Sequence, residues 1–129
     1  MFGGGGLCDD AAVRRTVLIV DDHEAFRTSA RALLEAEGFD VVGESGDGDE
    51  ALKAVADLRP QVVLLDVQLP GMDGFAVADR LAAEVDPPAV VLISSRDALA
   101  YGPRLRDTPS RGFIAKGELS GKALAALID

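Results

Sequence analysis

Five polar residues of this sequence could form one chemical site: Asp21, Asp22, Asp66, Ser94 and Lys116. They stand directly after, or one residue beyond, short apolar or β-branched runs that predict buried strands. If those strands are parallel, their carboxyl ends meet at one edge of a sheet. Ligands bind at that edge in doubly wound folds, so we expect the five side chains to share a site there.

The types of these side chains indicate phosphoryl chemistry. The three aspartates would repel one another unless a cation lay among them, and oxygen ligands favour a hard ion such as Mg2+. A carboxylate beside Mg2+ is a competent nucleophile toward phosphorus, and the ammonium of Lys116 could neutralise charge on the transferring group. The hydroxyl of Ser94 could donate a hydrogen bond to a phosphoryl oxygen. The pattern therefore predicts phosphoryl transfer assisted by Mg2+.

An alternation of strands and helices must position these residues. The alternation predicts an α/β fold, in which a doubly wound parallel sheet carries helices on both faces. The strand near residue 41 is expected toward an edge of the sheet. Strands are expected at residues 16–20, 41–42, 61–65, 89–93 and 112–115, and helices at residues 24–37, 49–59, 75–85 and 119–128.

The segment 98–109 should hold the fourth helix, but its sequence opposes a regular one. Gly102 and Pro103 fall in its middle, where a proline costs about 3 kcal/mol if the helix is continuous. We therefore predict that the fourth helix is short, late or kinked.

Composition indicates one soluble globular domain, because 48% of the 129 residues are hydrophobic and 27% are charged. We expect residues 1–15, which include a run of glycines, to form a flexible tail and residues 16–129 to form the domain. A net charge of -9 argues against direct binding to nucleic acid or to an anionic membrane. The single cysteine, Cys8, cannot form an intrachain disulfide, so a cytoplasmic location is expected.

Four motifs together give the sequence a family resemblance. They are Val-Asp-Asp-His at 20–23, Leu-Leu-Asp-Val-Gln-Leu-Pro-Gly-Met-Asp-Gly at 64–74, Ser-Ser at 94–95 and Phe-Ile-Ala-Lys at 113–116. With these motifs the chain resembles the response-regulator receiver family of two-component signalling over nearly all of residues 16–129. The resemblance implies a flavodoxin-like (βα)5 fold with a five-stranded parallel sheet of order 2-1-3-4-5.

The resemblance also implies roles for single residues of the site. Asp66 corresponds to the phosphoacceptor. Asp22 and Asp66 would bind Mg2+ directly, Asp21 would help directly or through water, and the backbone carbonyl of Gln68 would complete the protein ligands. The expected activity is transfer of a phosphoryl group to Asp66 from a sensor histidine kinase or a small phosphodonor. Beyond that transfer and its slow reversal, the resemblance implies a signalling protein and not an enzyme.

A switch is the second implication of the resemblance. In this family the residue at Ser94 is drawn toward the phosphoryl group, and the aromatic residue at the position of Phe113 turns toward the vacated space. The signalling face changes as a result. A downstream protein partner, an output domain or a second copy of the chain would read that change. Phe113 lacks the hydroxyl through which a tyrosine could make a hydrogen bond.

Each residue of the site also has an ordinary structural interpretation. Asp21 and Asp22 could be helix N-caps, Asp66 could begin an Asx turn, Ser94 could cap the next helix, and Lys116 could simply be solvated. To replace the functional interpretation, all of these ordinary interpretations would have to hold together at one edge of the sheet. The need for that coincidence argues against them.

Two other functions fit the sequence less well. A receiver fold could work as an interaction or dimerisation module without phosphorylation, and the irregular fourth helix motivates that alternative. A phosphatase with an aspartyl nucleophile would need a second carboxylate two residues after Asp66, where Gln68 stands.

His23 is assigned no catalytic role. The chain is expected to be either a stand-alone regulator or a fragment of a longer one.

Overall fold

The computed structural model describes residues 14–96 and 98–129, in which strands and helices alternate as the sequence predicts. Most of the expected tail, including Cys8, lies outside the described residues. The strands are β1 (Thr16–Val20), β2 (Asp40–Ser45), β3 (Val62–Asp66), β4 (Ala89–Ser94) and β5 (Gly112–Ala115). The α-helices are α1 (Glu24–Ala36), α2 (Gly48–Leu58), α3 (Gly74–Ala82), α4 (Pro103–Asp107) and α5 (Gly121–Ile128).

All strand pairs of the sheet are parallel, and their order is β2-β1-β3-β4-β5. This confirms the predicted 2-1-3-4-5 topology. The central strands are continuous apolar runs because both of their faces are covered by helices. Val17–Val20 of β1 are fully buried, as are the inner residues of β3 and β4.

Two apolar clusters lie on opposite faces of the sheet. On one face, Leu34 of α1 and Leu124 of α5 pack against the strands. On the other face, Val55 of α2 and Leu81 of α3 do so. The doubly wound arrangement follows from strands that carry large apolar side chains on both faces. Among the described residues, no helix is long and apolar enough to cross a membrane.

The fourth helix is interrupted where the sequence predicts an interruption. A single 3-10 turn at Ala98–Ala100 is followed by Gly102, whose φ of 57° lies in the left-handed region. Pro103 then becomes the first residue of α4, where its missing N–H costs no helical hydrogen bond. α4 is only five residues long and buries none of them fully.

Several predicted boundaries differ from those of the structure. β2 is longer than residues 41–42 because it pairs with β1 from Asp40 to Ser45, with one register shift at Val42. α3 ends at Ala82 instead of 85, and Val85 beyond it is fully exposed and packs on nothing that would extend the helix. α5 begins at Gly121 because Ser120 caps it by accepting a hydrogen bond from the Ala123 N–H at 3.0 Å.

The beginning of the described chain contacts the domain at two residues that the sequence assigned to the tail. Arg14 donates a hydrogen bond to the backbone carbonyl of Phe39 at 3.4 Å. The backbone carbonyl of Arg15 accepts from the Asp40 N–H at 2.8 Å, and the Arg15 guanidinium pairs with Asp129. These contacts join the chain just before β1 to the edge strand and to the end of α5.

We predict that Gly74→Ala destabilises the fold by about 2–3 kcal/mol, because an added methyl group overpacks the turn behind β3. A Cβ at this position would lie 2.2 Å from the Asp66 carbonyl oxygen and 2.8 Å from Val67 Cα. Urea unfolding measures the change. The control is Gly117→Ala, whose Cβ meets no atom within 4 Å, so its change should stay within about 0.5 kcal/mol. Equal losses in both variants would contradict this account.

Candidate functional site

The carboxyl ends of four parallel strands bring the predicted site residues to one edge of the sheet. Asp21 follows β1, and Lys116 follows β5. Asp66 and Ser94 are the last residues of β3 and β4, whereas the sequence places each of them one residue after its strand. Asp66 and Ser94 are paired within the sheet, and the Asp21 N–H donates to the Ser45 carbonyl at 3.0 Å, which limits how far these three residues can move.

The acidic residues form one compact cluster. Asp21, Asp22, His23 and Asp66 each offer a ligand atom, and these atoms all lie within 4.8 Å of one another. The side chains of Asp21 and Asp66 are buried, whereas those of Asp22 and His23 face solvent. The cluster thus has a buried side made of two carboxylates and an open side from which a small ligand can enter.

Lys116 is the cation that faces the two buried carboxylates. Its Nζ lies 2.5 Å from Asp21 Oδ2 and 3.2 Å from Asp66 Oδ2, and only 14% of its side chain is exposed. The ammonium also lies 4.7 Å from the centre of the Phe26 ring. Burial alone would lower the pKa of Lys116, but Asp21 and Asp66 outweigh it and raise the pKa. Lys116 is therefore charged at neutral pH and is not the solvated lysine of the ordinary interpretation.

Asp66 has an environment that disfavours its charged form. Burial raises its pKa, and the negative charge of Asp21 adds to that effect. The Gln68 N–H, which donates to Asp66 Oδ1 at 3.0 Å, and Lys116 act in the opposite direction but do not outweigh burial. The ionised form of Asp66 is therefore destabilised by its surroundings, and an additional cation in the cluster would stabilise it.

The two carboxylate oxygens of Asp21 have different partners. Asp21 Oδ1 accepts from the His23 N–H at 2.8 Å. Its Oδ2 is buried, and its one polar partner within the described residues is the Lys116 ammonium at 2.5 Å, which it shares with Asp66. A buried carboxylate oxygen that shares one ammonium with a second carboxylate suits a hard cation, and Asp22 and Asp66 offer further carboxylate oxygens beside it. The residues present therefore fit Mg2+.

The ordinary interpretations hold for some residues of the site and fail for others. Neither Asp21 nor Asp22 is a helix N-cap, because the N-cap of α1 is His23 and it makes no side-chain capping bond. Asp66 does form an Asx turn through the Gln68 N–H. Such a turn and a role in chemistry are compatible, because the turn uses only Oδ1 and leaves Oδ2 facing Lys116.

The structure gives the positions of Gln68 and Phe113 but does not test the roles expected of them. The Gln68 backbone is adjacent to the Asp66 carboxylate through the turn just described. Phe113 lies in β5, is partly buried and packs against the cluster on the α2 and α3 face. Metal binding by Gln68 and a switch role for Phe113 stay predictions.

Tyr101 is a residue of the site that the sequence did not single out. Its hydroxyl lies 2.5 Å from Ser94 Oγ, which also accepts a hydrogen bond from the Arg96 N–H at 3.1 Å. Tyr101 is the chain's one tyrosine and directly precedes Gly102 and Pro103. Its position next to this helix interruption was the signal in the sequence. Where the helix is interrupted, the tyrosine side chain need not point in the direction that a regular helix would give it.

Arg27 is a second residue that the sequence did not indicate. Its guanidinium donates to the backbone carbonyl of Asp21 at 2.6 Å and to Glu44 at 3.1 Å. Arg31 also donates to Glu44, at 2.7 Å. Burial would raise the pKa of Glu44, but Arg31 and Arg27 together lower it, so Glu44 is ionised at neutral pH. This network ties the backbone at Asp21 to α1 and β2.

Comparison with known proteins gives one consistent family. Residues 17–128 match the model of the response regulator receiver domain. The chain is 38% identical over 109 residues to the transcriptional regulatory protein PdtaR of Mycobacterium tuberculosis, covering 83% of this chain and 52% of that protein. It is 35% identical over 102 residues to the response regulator GacA of Pseudomonas aeruginosa, covering 78% of this chain and 48% of GacA. The chain thus spans about half the length of these curated relatives.

A solved structure agrees with the sequence matches. A signal receiver domain assigned to the response regulator NarL of Mycobacterium tuberculosis is 34% identical to this chain, with a TM-score of 0.77. The superposition covers 88% of this chain and 96% of that domain. The topology of the sheet, the acidic cluster at its edge and these matches together show that the chain belongs to the response regulator receiver domain family of two-component signalling.

Proposed function

We propose that this chain accepts a phosphoryl group on Asp66 from a sensor histidine kinase and changes its interaction surface in response. One observation carries the proposal. Asp66 is buried at the end of the central strand β3, 3.2 Å from the Lys116 ammonium and within a cluster of carboxylates that is open to solvent on one side. This arrangement suits a nucleophile that meets a charged phosphodonor.

In the proposed reaction a carboxylate oxygen of Asp66 attacks phosphorus. A bond between that oxygen and phosphorus forms while the bond from phosphorus to the leaving group breaks. The electron pair of that bond goes to the histidine nitrogen of the kinase or to the acetate of acetyl phosphate. Lys116 neutralises charge that develops on the phosphoryl oxygens, and the Ser94 hydroxyl donates a hydrogen bond to one of them.

Asp21, Asp22, Asp66 and the backbone carbonyl of Gln68 would hold Mg2+. When bound, the ion supplies positive charge that offsets both the carboxylates and the incoming phosphoryl group. The buried Asp21 Oδ2, whose one polar partner in the described part of the chain is an ammonium shared with Asp66, supports this assignment. The half-exposed Asp22 supports it as well, because a ligand at the open side of the cluster lets the ion enter and leave.

The output of the signal is proposed from the relatives. PdtaR is a transcriptional regulatory protein and GacA a response regulator, and each is about twice as long as the region matched here. We infer that phosphorylation of this chain controls a downstream partner or an output domain, with gene regulation as the corresponding process. The kinase domain that donates the phosphoryl group would place the chain in the cytoplasm.

A phosphorylation-independent interaction module is the second candidate. It is favoured by the irregular fourth helical segment, where Leu99 is 90% exposed and α4 buries no residue fully. A homodimer formed through this surface is one form that such a module could take. The two candidates differ in one respect, because a phosphorylation-independent partner would bind the Asp66→Ala variant as tightly as it binds the wild type.

We predict that acetyl phosphate and Mg2+ add one phosphoryl group to the wild-type chain and none to Asp66→Asn, because the amide cannot act as the nucleophile. Intact mass spectrometry measures the addition. Chelation of Mg2+ should reduce the labelling of the wild type at least tenfold, which corresponds to about 1.4 kcal/mol of lost stabilisation.

The matched control is Asp79→Asn, which removes an exposed carboxylate from α3 and should be labelled like the wild type. Equal labelling of Asp66→Asn and the wild type would show that another residue is the acceptor. A wild type that stays unlabelled under conditions that label a known receiver domain would contradict the proposal.

We also predict that Asp66→Asn stabilises the Mg2+-free protein at neutral pH by an amount on the order of 1 kcal/mol, because it removes a disfavoured buried charge. The pKa of Asp66 is raised in the folded state above its ordinary value of 3.8. The folded protein therefore binds more protons than the unfolded protein once the pH exceeds about that value, and its stability falls as the pH rises. The advantage of the variant should thus disappear below pH 3.8.

Urea unfolding with a chelator, at several pH values, measures this difference. Added Mg2+ should then stabilise the wild type and have a much smaller effect on Asp66→Asn, since the variant offers one carboxylate fewer. Asp79→Asn again serves as the control and should respond to Mg2+ like the wild type. An Asp66→Asn variant that is less stable than the wild type at neutral pH would contradict the argument about buried charge.

A further inference from the structure

The hydroxyl of Ser94 is already engaged in this structure. Ser94 is fully buried, and its Oγ lies 2.5 Å from the Tyr101 hydroxyl and accepts from the Arg96 N–H at 3.1 Å. Within the described part of the chain, no hydrogen bond joins Ser94 Oγ to Asp66 or Lys116. The side chain assigned to phosphoryl recognition is therefore bound to a tyrosine from the irregular fourth segment.

The ring of Tyr101 is packed as well as its hydroxyl. It lies 5.7 Å from the Phe75 ring in an edge-on arrangement and 6.2 Å from the Phe113 ring. These contacts connect the segment to α3 and to β5 at the same time. Phe113 is the position at which the family places its switch aromatic, and here the neighbouring space holds the Tyr101 ring.

The segment around Tyr101 depends on few other contacts. Tyr101 and Leu105 pack against the apolar cluster on this face of the sheet, whereas Leu99 is 90% exposed. Arg104 adds an exposed ion pair with Asp73 at 3.4 Å and lies 4.1 Å from the centre of the Phe75 ring. Gly102 adopts a left-handed φ of 57°, and α4 has a single turn. A segment with so little buried surface has low local stability, so the loss of one hydrogen bond can change its conformation.

We propose that Tyr101 is a positioning residue that holds the Ser94 hydroxyl while Asp66 is unphosphorylated. The inference rests on the proposed function. Phosphorylation of Asp66 exchanges the hydrogen bond between Ser94 and Tyr101 for one between Ser94 and a phosphoryl oxygen. Tyr101 is then released, and the segment 98–107 rearranges and alters the surface that includes Leu99. In this chain the hydroxyl that contacts Ser94 belongs to Tyr101 of the fourth segment. The switch position of β5 could not supply one, because Phe113 has no hydroxyl.

The first test observes Tyr101 directly. The chain contains one tyrosine and no tryptophan, so its intrinsic tyrosine fluorescence reports on Tyr101 alone. Acetyl phosphate and Mg2+ should change the intensity or lifetime of that fluorescence in proportion to the labelled fraction measured by mass. Ser94→Ala should show altered fluorescence before any phosphodonor is added, because its Tyr101 has no hydroxyl partner at residue 94.

The outcomes of this test separate the two claims. Labelling with unchanged fluorescence would overturn the role of Tyr101 and leave phosphorylation of Asp66 intact. The absence of labelling would overturn the proposed function and this inference with it. A fluorescence change that Asp66→Asn shows equally would also overturn the inference, since it could not then depend on the phosphoryl group.

The second test removes only the hydroxyl. Tyr101→Phe keeps the ring and should accelerate labelling by acetyl phosphate about threefold to tenfold, the range that corresponds to one net hydrogen bond. In a Ser94→Ala background the same substitution should have no further effect, because the bond is already absent. Slower or unchanged labelling of Tyr101→Phe, or an equal acceleration in the Ser94→Ala background, would overturn the proposal.

Thr108→Val is the matched control. The Thr108 hydroxyl donates to the Arg104 backbone carbonyl at 2.5 Å, so this variant also removes a hydroxyl hydrogen bond near α4 but does not touch Ser94. Its labelling rate should equal that of the wild type. Acceleration by Thr108→Val as large as that by Tyr101→Phe would mean that general loosening of the segment is responsible, and would overturn a specific role for Tyr101.

Discussion

The confinement of two buried carboxylates against one ammonium is the constraint on which the rest of this structure depends. Asp21 and Asp66 share Lys116, and the pKa of Asp66 is raised because burial and the second carboxylate outweigh that cation. A buried ion pair of this kind contributes little net stability, since desolvation offsets the attraction. The arrangement is better understood as a site that is incomplete without further positive charge.

The fold maintains that constraint because the strands that carry the site residues are held rigidly. β1 and β3 are buried on both faces and paired to each other, so the residues at their ends have little freedom. The turn after β3 packs so closely that Gly74 leaves no space for a methyl group behind Asp66. Arg27 adds a hydrogen bond to the Asp21 carbonyl. Unfavourable charges can be held together here because the backbone that carries them cannot easily move apart.

The fourth helical segment has the opposite character. It consists of a 3-10 turn, a glycine in the left-handed region and a single turn of helix. Tyr101 and Leu105 join it to the apolar core, and Arg104 joins it to Phe75 and Asp73 near the start of α3. A rigid site next to a weakly held segment is a physical basis for a switch, because a small change in hydrogen bonding can shift the segment without disturbing the sheet.

The sequence by itself determined the sheet, the sites at its edge and the broken helix. Short apolar runs that alternate with helical segments indicate central parallel strands, whose following residues come together at one edge, and Gly102 with Pro103 opposes a regular helix. The metal and the roles of Gln68 and Phe113 stay predictions. Only the tertiary structure decided that Tyr101 contacts Ser94 and that Arg27 supports Asp21. The first contact joins two side chains through the irregular backbone around Tyr101, and the second joins a helical side chain to a backbone carbonyl at the end of β1. Both depend on how separate elements pack, which no periodicity in the sequence specifies.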